Sequence, residues 1–362
     1  MGLLVNRLAD PADWVVGRPL PGEPFAGRRF AAAPPVCWPP AGPMRYEAAV
    51  ARVLRRLRPA RIEVHNRPEI ARSLARRFPA ADVALFLHND PRAMRRARTA
   101  TARASLLRRM QVVCVSETVR GWFLDGLAPA QVSGERVAVL LNCLALDELP
   151  PKLPAAERDG LILFAGRLVA DKGADAFVAA CASVLPNLPG WRAEMIGADR
   201  FAADSPETPF LAALRPRAAA AGVRLLGHLP HDRVLEAMAR AAIVVVPSRW
   251  QEPFGMTALE AMGCGAALIV SPRPGLREVV GDAALLAEPE ALAPALLRLA
   301  RDPALRAALS ARGLERAAGF SAPAARARLG ALRAARAGKA GAVTAGAGTA
   351  QAATAGSPAP PP

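Results

Sequence analysis

The sequence predicts an α/β protein of two domains, and three observations carry that expectation. Short unbroken apolar runs at residues 83–87, 161–164 and 243–246 mark strands buried on both faces, as in parallel sheets. Each run ends in a polar or glycine turn that leads into a helical segment, which is the alternation of parallel βα units. The chain has 362 residues, 52% of them hydrophobic, enough for two separate cores. Pro150, Pro151 and Pro154, with Glu157-Arg158-Asp159-Gly160, have the composition of a linker. They place the domains at residues 1–150 and 151–320.

Residues 1–60 fit this pattern least. Residues 3–5 and 14–16 are apolar enough for strands, residues 19–43 are dense in Pro and Gly and read as loops, and residues 47–58 carry Val50, Val53, Leu54 and Leu57 on one helical face. From residue 62 the pattern is regular. A strand ends in His65-Asn66-Arg67, and a helix starts at Pro68. The strand at 83–87 ends in His88-Asn89-Asp90-Pro91. Ligand groups in open α/β sheets gather at the carboxyl ends of strands, where both histidines lie. An arginine-rich helix is expected over 94–109, a strand over 112–115, a helix start at Ser116-Glu117-Thr118 and a strand over 137–141 closed by Asn142.

The second domain opens with a strand that runs into Gly166-Arg167 and then Lys172-Gly173. Arg167 and Lys172 are close enough in sequence to reach one anion, the first as a planar fork and the second as a point charge. The strand at 191–196 ends in Gly197-Ala198, and that at 223–226 leads to His228 and His231. The most informative stretch follows. A strand ends at Pro247-Ser248, a loop carries Glu252, Phe254 and Gly255, and a helix begins near Met256 and Thr257 with Glu260 about one turn in. A helix N-terminus presents free amides and partial positive charge, a cradle for a diphosphate. Gly255 allows close approach to the backbone. Glu260 is placed to accept both hydroxyls of a ribose, and Glu252 lies near a sugar attached to the phosphates. A glycine turn and helix at 274–281, an amphipathic helix over 292–312 and a closing helix over 316–336 complete the domain. Residues 337–362 are Ala, Gly, Thr and Pro with almost no large apolar side chain, a composition expected to stay disordered.

The formal charge of +16, mostly arginine, implies a basic surface for anionic partners such as membrane phospholipids or nucleotide-activated donors. One Tyr and few other aromatics offer no stacking platform for bases, so nucleic acid is not an expected partner. Cys37, Cys114, Cys143, Cys181 and Cys264 are scattered without a C-x-x-C pair, and neither a zinc site nor a disulfide framework is expected. No secretory signal and no membrane-spanning run is visible. The expected location is cytoplasmic, with peripheral contact at the inner face of the membrane.

The string E-P-F-G-x-x-x-x-E-A-M-x-C-G, from Glu252 to Gly265, resembles the Glu-x7-Glu motif of family 4 glycosyltransferases. Gly166-Arg167-Leu168 followed by Lys172-Gly173 resembles the G-R-L-x-x-x-K-G motif of the same family. The resemblance covers most of residues 60–320 and implies two Rossmann-like α/β/α domains facing a cleft, the glycosyltransferase-B architecture. It implies an N-terminal acceptor-side domain (1–150), a C-terminal nucleotide-sugar-binding domain (151–320), and a closing helix (321–336) that returns to the first domain. It further implies retaining transfer of a sugar from a nucleotide-diphosphate donor to a hydroxyl acceptor, glycan or lipid-linked, in surface polysaccharide or lipopolysaccharide synthesis. No metal and no further cofactor is implied, the nucleotide sugar being the co-substrate. Glu252, His88, Arg167 and Lys172 take the catalytic positions. Gly166, Gly197, Phe254, Gly255, Met256, Thr257 and Glu260 join them in donor binding, while His65, Asn66 and Arg67 face the acceptor. The Gly-Gly loop that follows the family's opening strand is not found here. Residues 1–10 read either as a shortened first strand or as the first helix of a chain whose start lies upstream. The rival reading is a nucleotide-sugar-binding protein with a reduced, non-catalytic first domain. A dinucleotide-binding oxidoreductase would need a G-x-G-x-x-G after a strand, and none is found.

Overall fold

The computed structural model describes residues 2–18, 29–34, 42–132, 136–199 and 207–350, with side chains except at 2–3, 42–43 and 337–350. The chain begins with α1 (Gly2–Leu8), β1 (Trp14–Gly17), β2 (Arg29–Ala32) and α2 (Gly42–Leu57). Regular βα units follow: β3 (Arg61–His65), α3 (Pro68–Arg77), β4 (Asp82–Leu87), α4 (Ala100–Leu107), β5 (Gln111–Cys114), α5 (Glu117–Leu124) and β6 (Val137–Val139). A second series comprises β7 (Asp159–Ala165), α6 (Ala174–Val184), β8 (Arg192–Ile196), α7 (Pro209–Ala220), β9 (Val223–Gly227) and α8 (His231–Arg240). It continues through β10 (Ala241–Val246), α9 (Met256–Gly263), β11 (Ala267–Val270), α10 (Pro274–Val280), β12 (Leu285–Leu286), α11 (Leu292–Arg301), α12 (Pro303–Ala318) and α13 (Ala322–Ala350).

Among the described residues, two parallel sheets carry the fold. The first runs β3-β4-β5-β6 and the second β12-β11-β10-β7-β8-β9. The apolar runs are buried as a two-sided parallel sheet requires. In β4, Leu85 and Leu87 face the main cluster with Val50 and Leu54 of α2 and Leu74 of α3. Ala84 and Phe86 face the opposite way, onto Leu8 of α1 and Ala322 and Leu329 of α13. The chain therefore leaves the second sheet and closes over the first. Leu144 bonds Phe320 and Ala322 through its backbone, each at 2.8 Å. Arg333 of α13 grips Glu63 at 2.8 Å and Asp13 at 3.2 Å, and the Glu63 hydrogen bond raises its pKa.

Several local expectations are corrected. Of the strand and the helix left open for residues 1–10, the helix forms, as α1, from an apolar run too short for its period to decide. Residues 14–16 do form a strand, but β1 pairs with β2 in a small parallel sheet of its own, and β2 lies inside the stretch read as loops. Residues 19–28 and 35–41 of that stretch, with Cys37, lie outside the described residues. The helix expected from 94 begins only at Ala100, because Arg96 has a left-handed φ of 69° and Thr99 caps α4 by accepting from Ala102 N at 3.2 Å. The helix expected over 292–312 is two, since Asp302 caps α12 through Leu305 N at 2.8 Å and Pro303 suits only a first turn. The helix expected over 316–336 is also interrupted: α12 ends at Ala318, and α13 starts at Ala322. The backbone of α13 continues to Ala350, over part of the segment read as disordered, consistent with the high helix propensity of alanine. Residues 351–362 lie outside the described residues.

Cys114, Cys143, Cys181 and Cys264 are free and buried. Burial raises all four thiols, Cys181 and Cys264 to about 12. Among the described residues no helix is long and apolar enough to cross a membrane.

Candidate active site

The carboxyl ends of both sheets border a cavity of about 400 Å³. His88, Asn89 and Asn142 reach it from the first sheet. Gly166, Lys172, Glu252, Phe254, Gly255, Met256 and Thr257 reach it from the second. The two sides are tied beside it. Ser116 Oγ donates to Pro253 O at 2.5 Å. The carboxylate of Glu278 on α10 accepts from Glu117 N at 2.7 Å and from Thr118 N and Oγ1, both at 3.0 Å. It thereby caps α5 with a charge of the sign its N-terminus favours.

Local folding explains how the second sheet presents its groups. After β7 the chain makes a turn that ends at Gly173, with φ 71°. A Cβ at Gly173 would lie 1.9 Å from the carbonyl oxygen of Pro247, so only glycine lets this turn press against the exit of β10. The backbone amides of Arg249 and Trp250 donate to Asp171 O at 2.9 and 3.0 Å. Lys172 is thus delivered to Glu252, with which it forms an ion pair. Glu252 is 7% exposed, and it also accepts from Ser248 Oγ at 2.8 Å, so its buried charge is compensated on two sides. Gly255 starts α9 with φ 104°, and a Cβ there would meet Leu276 Cδ2 at 2.5 Å. The first amides of α9, which have no intrahelical acceptor, lie at Met256 and Thr257 on the cavity wall.

The other expected residues stand further off. Glu260 lies one turn into α9 and holds His231 Nε2 at 2.9 Å. That hydrogen bond raises the His231 pKa against the opposing effect of burial. Arg167 is exposed at the end of β7, and Gly197 bonds Gly227 O at 2.8 Å at the end of β8. Neither borders the 400 Å³ cavity. His65 and Arg67 border a larger cavity of about 1610 Å³ beside β3. His65 nevertheless contacts the site, because its Nδ1 lies 2.9 Å from His88 Nε2. Asn66 Oδ1 accepts from His88 N at 2.8 Å. Among the described residues no three His, Cys, Asp or Glu side chains converge as metal ligands. Sequence reasoning left Asn89, Asn142 and Ser248 without a role, although all three follow strands and the strand-end rule reaches them. Glu278 carries no such local signal, since its partners lie 160 and 161 residues away.

Residues 146–316 match the family model described as glycosyl transferases group 1. That segment is thus similar to a group 1 glycosyltransferase domain. Its architecture is similar to that of Anabaena HepE in complex with UDP and glucose, with a TM-score of 0.73 and 18% identity over 92% of this chain and 95% of that one. Sucrose-phosphate synthase from Thermosynechococcus elongatus is similar at a TM-score of 0.70 and 22% identity, over 86% and 84% of the two chains. These likenesses give the fold, which is of the glycosyltransferase-B type. In sequence, the chain is 39% identical to O-antigen chain mannosyltransferase B of Escherichia coli over 102 residues, 27% of this chain and 26% of that protein. It is 34% identical to the D-inositol 3-phosphate glycosyltransferase of Frankia alni over 208 residues, 51% of this chain and 50% of that protein. The matched segment covers the second sheet and its loops, while the chain spans half or less of the length of these two relatives.

Proposed function

We propose that the protein is a retaining, metal-independent glycosyltransferase of family 4. It moves a sugar from a nucleotide-diphosphate donor to a hydroxyl of a glycan or lipid-linked acceptor, in surface polysaccharide or lipopolysaccharide synthesis. One observation carries this reading: Lys172, Glu252 and the N-terminus of α9 converge on a cavity that His88 closes from the other sheet. The α9 amides, Lys172 and Arg167 neutralise the departing diphosphate, charge stabilisation of the kind that dominates many transfer reactions. Glu260 takes the ribose hydroxyls in exchange for His231, and Glu252 takes hydroxyls of the transferred sugar. The acceptor hydroxyl enters from the side of the first sheet and attacks on the face from which the phosphate leaves. The bond from the anomeric carbon to the phosphate oxygen breaks, the bond to the acceptor oxygen forms, and the released phosphate oxygen takes the acceptor's proton. Two of the similar proteins, an O-antigen mannosyltransferase and a structure holding UDP and glucose, support the donor and pathway classes. The protein acts at the cytoplasmic face of a membrane, with its basic first half toward the lipid.

The test is nucleoside-diphosphate release from a panel of nucleotide sugars, with membrane extract as acceptor and the product anomer read by NMR. One donor is expected to turn over with retention, and Glu260→Ala is expected to raise its KM about tenfold, the worth of a charged hydrogen bond. Nucleotide binding without turnover of any donor would overturn the reading.

A further inference from the structure

His65 and His88 leave adjacent strands and hold each other. His65 pairs in register with Phe86 and stacks on its ring, with centroids 4.8 Å apart and planes 29° apart. The two imidazoles are 5.2 Å apart between centroids and tilted by 31°, joined through His65 Nδ1 and His88 Nε2 at 2.9 Å. Asn66 completes the arrangement. It adopts a left-handed φ of 55°, a conformation Asn tolerates better than most residues. From there its amide N donates to Phe86 O at 2.8 Å, and its Oδ1 accepts from His88 N at 2.8 Å. Ring stacking, a ring-to-ring bond and a side-chain-to-backbone bond together fix the orientation of His88.

That orientation leaves one group unused. His88 Nδ1 is buried and has no hydrogen-bond partner in the protein, while His88 borders the cavity that holds Lys172 and Glu252. A buried polar atom without a partner costs stability, and here a ligand in the cavity can supply the missing bond. Both rings are neutral at neutral pH, since burial pushes His65 down to about 4 and His88, with the neighbouring ring adding to the effect, to about 3. In a neutral pair each ring carries one N–H and only one of the two lies between the rings, so the direction of that bond dictates what His88 Nδ1 offers. The cavity already has donors in Lys172 and the α9 amides. Its carboxylate acceptor, Glu252, is already engaged by Lys172 and Ser248, so a further acceptor would complement a sugar hydroxyl.

We propose that His65 is a positioning residue for His88. It accepts the His88 Nε2–H, so both rings carry their proton on Nε2 and the bare Nδ1 of His88 faces the cavity as an acceptor for a ligand hydroxyl. Both the identity of that ligand as a sugar and the choice of tautomer rest on the transferase reading above; the bond between the rings does not.

The experiment reads imidazole nitrogen tautomers by 15N NMR on the ligand-free protein and, separately, donor turnover. Three proteins are compared: the unaltered chain, His65→Gln and His65→Phe. Gln keeps an oxygen that can accept from His88, whereas Phe keeps the stack on Phe86 and accepts nothing. The unaltered chain is expected to show Nε2–H on both rings. His65→Gln should retain the His88 tautomer and turnover within about threefold. His65→Phe should give a mixed His88 tautomer and about a tenfold loss of kcat/KM, the upper range for one neutral hydrogen bond. An Nδ1–H on His88 in the unaltered chain, or equal His88 tautomers in the two variants, would overturn the proposal. Complete absence of donor turnover would remove the transferase reading and leave the tautomer comparison to decide this one.

Discussion

The second sheet, six strands wide among the described residues, presents its site on loops bonded to one another: the turn at Gly173 presses on Pro247, and Glu252 is held by Lys172 and Ser248. The first sheet, four strands wide, presents two histidines that hold each other where neighbouring strands end. Their covering differs as well. The second sheet is wrapped by helices from its own stretch of chain, such as α6, α7 and α11. One face of the first is covered by α13, which arrives after the whole second sheet has been traversed. Charge divides along the same line. Across residues 1–140 arginines outnumber Asp and Glu by roughly two to one, whereas across 141–320 basic and acidic residues nearly balance. The second half is thus locally complete and near neutral. The first is finished by distant chain and strongly basic.

The sharpest way to test this division is at its largest expected effect. Lys172→Ala should lower kcat/KM for the donor by about 10²–10³-fold, the scale of losing one preorganised charge contact in a transfer site, while unfolding stability changes far less. Equal losses in both would mean that the lysine only balances the buried Glu252. The next substitution tests the first half. Leu329→Asp places a charge where α13 covers the first sheet, at a residue 3% exposed. It should destabilise the protein by about 3 kcal/mol. Calorimetry should then resolve an earlier transition for the first sheet, with nucleotide binding retained until the second melts. A single transition would show that the halves do not separate. The smallest effect is at His231. Glu260 raises its pKa in the folded protein, so the folded state holds that proton more tightly than the unfolded chain. The resulting stabilisation is complete below about pH 6.5 and is lost as pH rises through the raised value. The difference in stability between the unaltered protein and His231→Ala should shrink over that interval, as read by denaturant titration; a constant difference would rule out the pair as its cause.

The same division governed how much could be read in advance. The strand–turn–helix units around Gly166, His88 and Glu252 declared themselves because burial, strand exit and helix start all leave marks within a few residues. Pairings across distance left none. The Lys172–Glu252 pair spans 80 residues, and the Glu278 cap joins helices on different sheets. Nothing near position 278 indicates that its carboxylate ends on α5. The helix over 94–109 failed for a different reason: its apolar and basic pattern was sound, but the left-handed Arg96 and the Thr99 cap set its start. Conversely, the break at Asp302-Pro303 was marked locally and was masked by an amphipathic period that continues across it. β2 was hidden because its pairing with β1 lies within a Pro- and Gly-rich stretch.

The return of α13 also sets an order of events at the ribosome. Leu140 and Val113 are in place on the first sheet roughly 180 residues before Ala322 and Leu329 exist to cover them. At ordinary elongation rates that interval is on the order of ten to forty seconds. Throughout it the growing chain displays an apolar sheet face, while the second sheet, whose helices are made beside its strands, is free to fold. The half of the molecule synthesised first is therefore the half completed last, and it is the half for which a cell must supply shelter during translation.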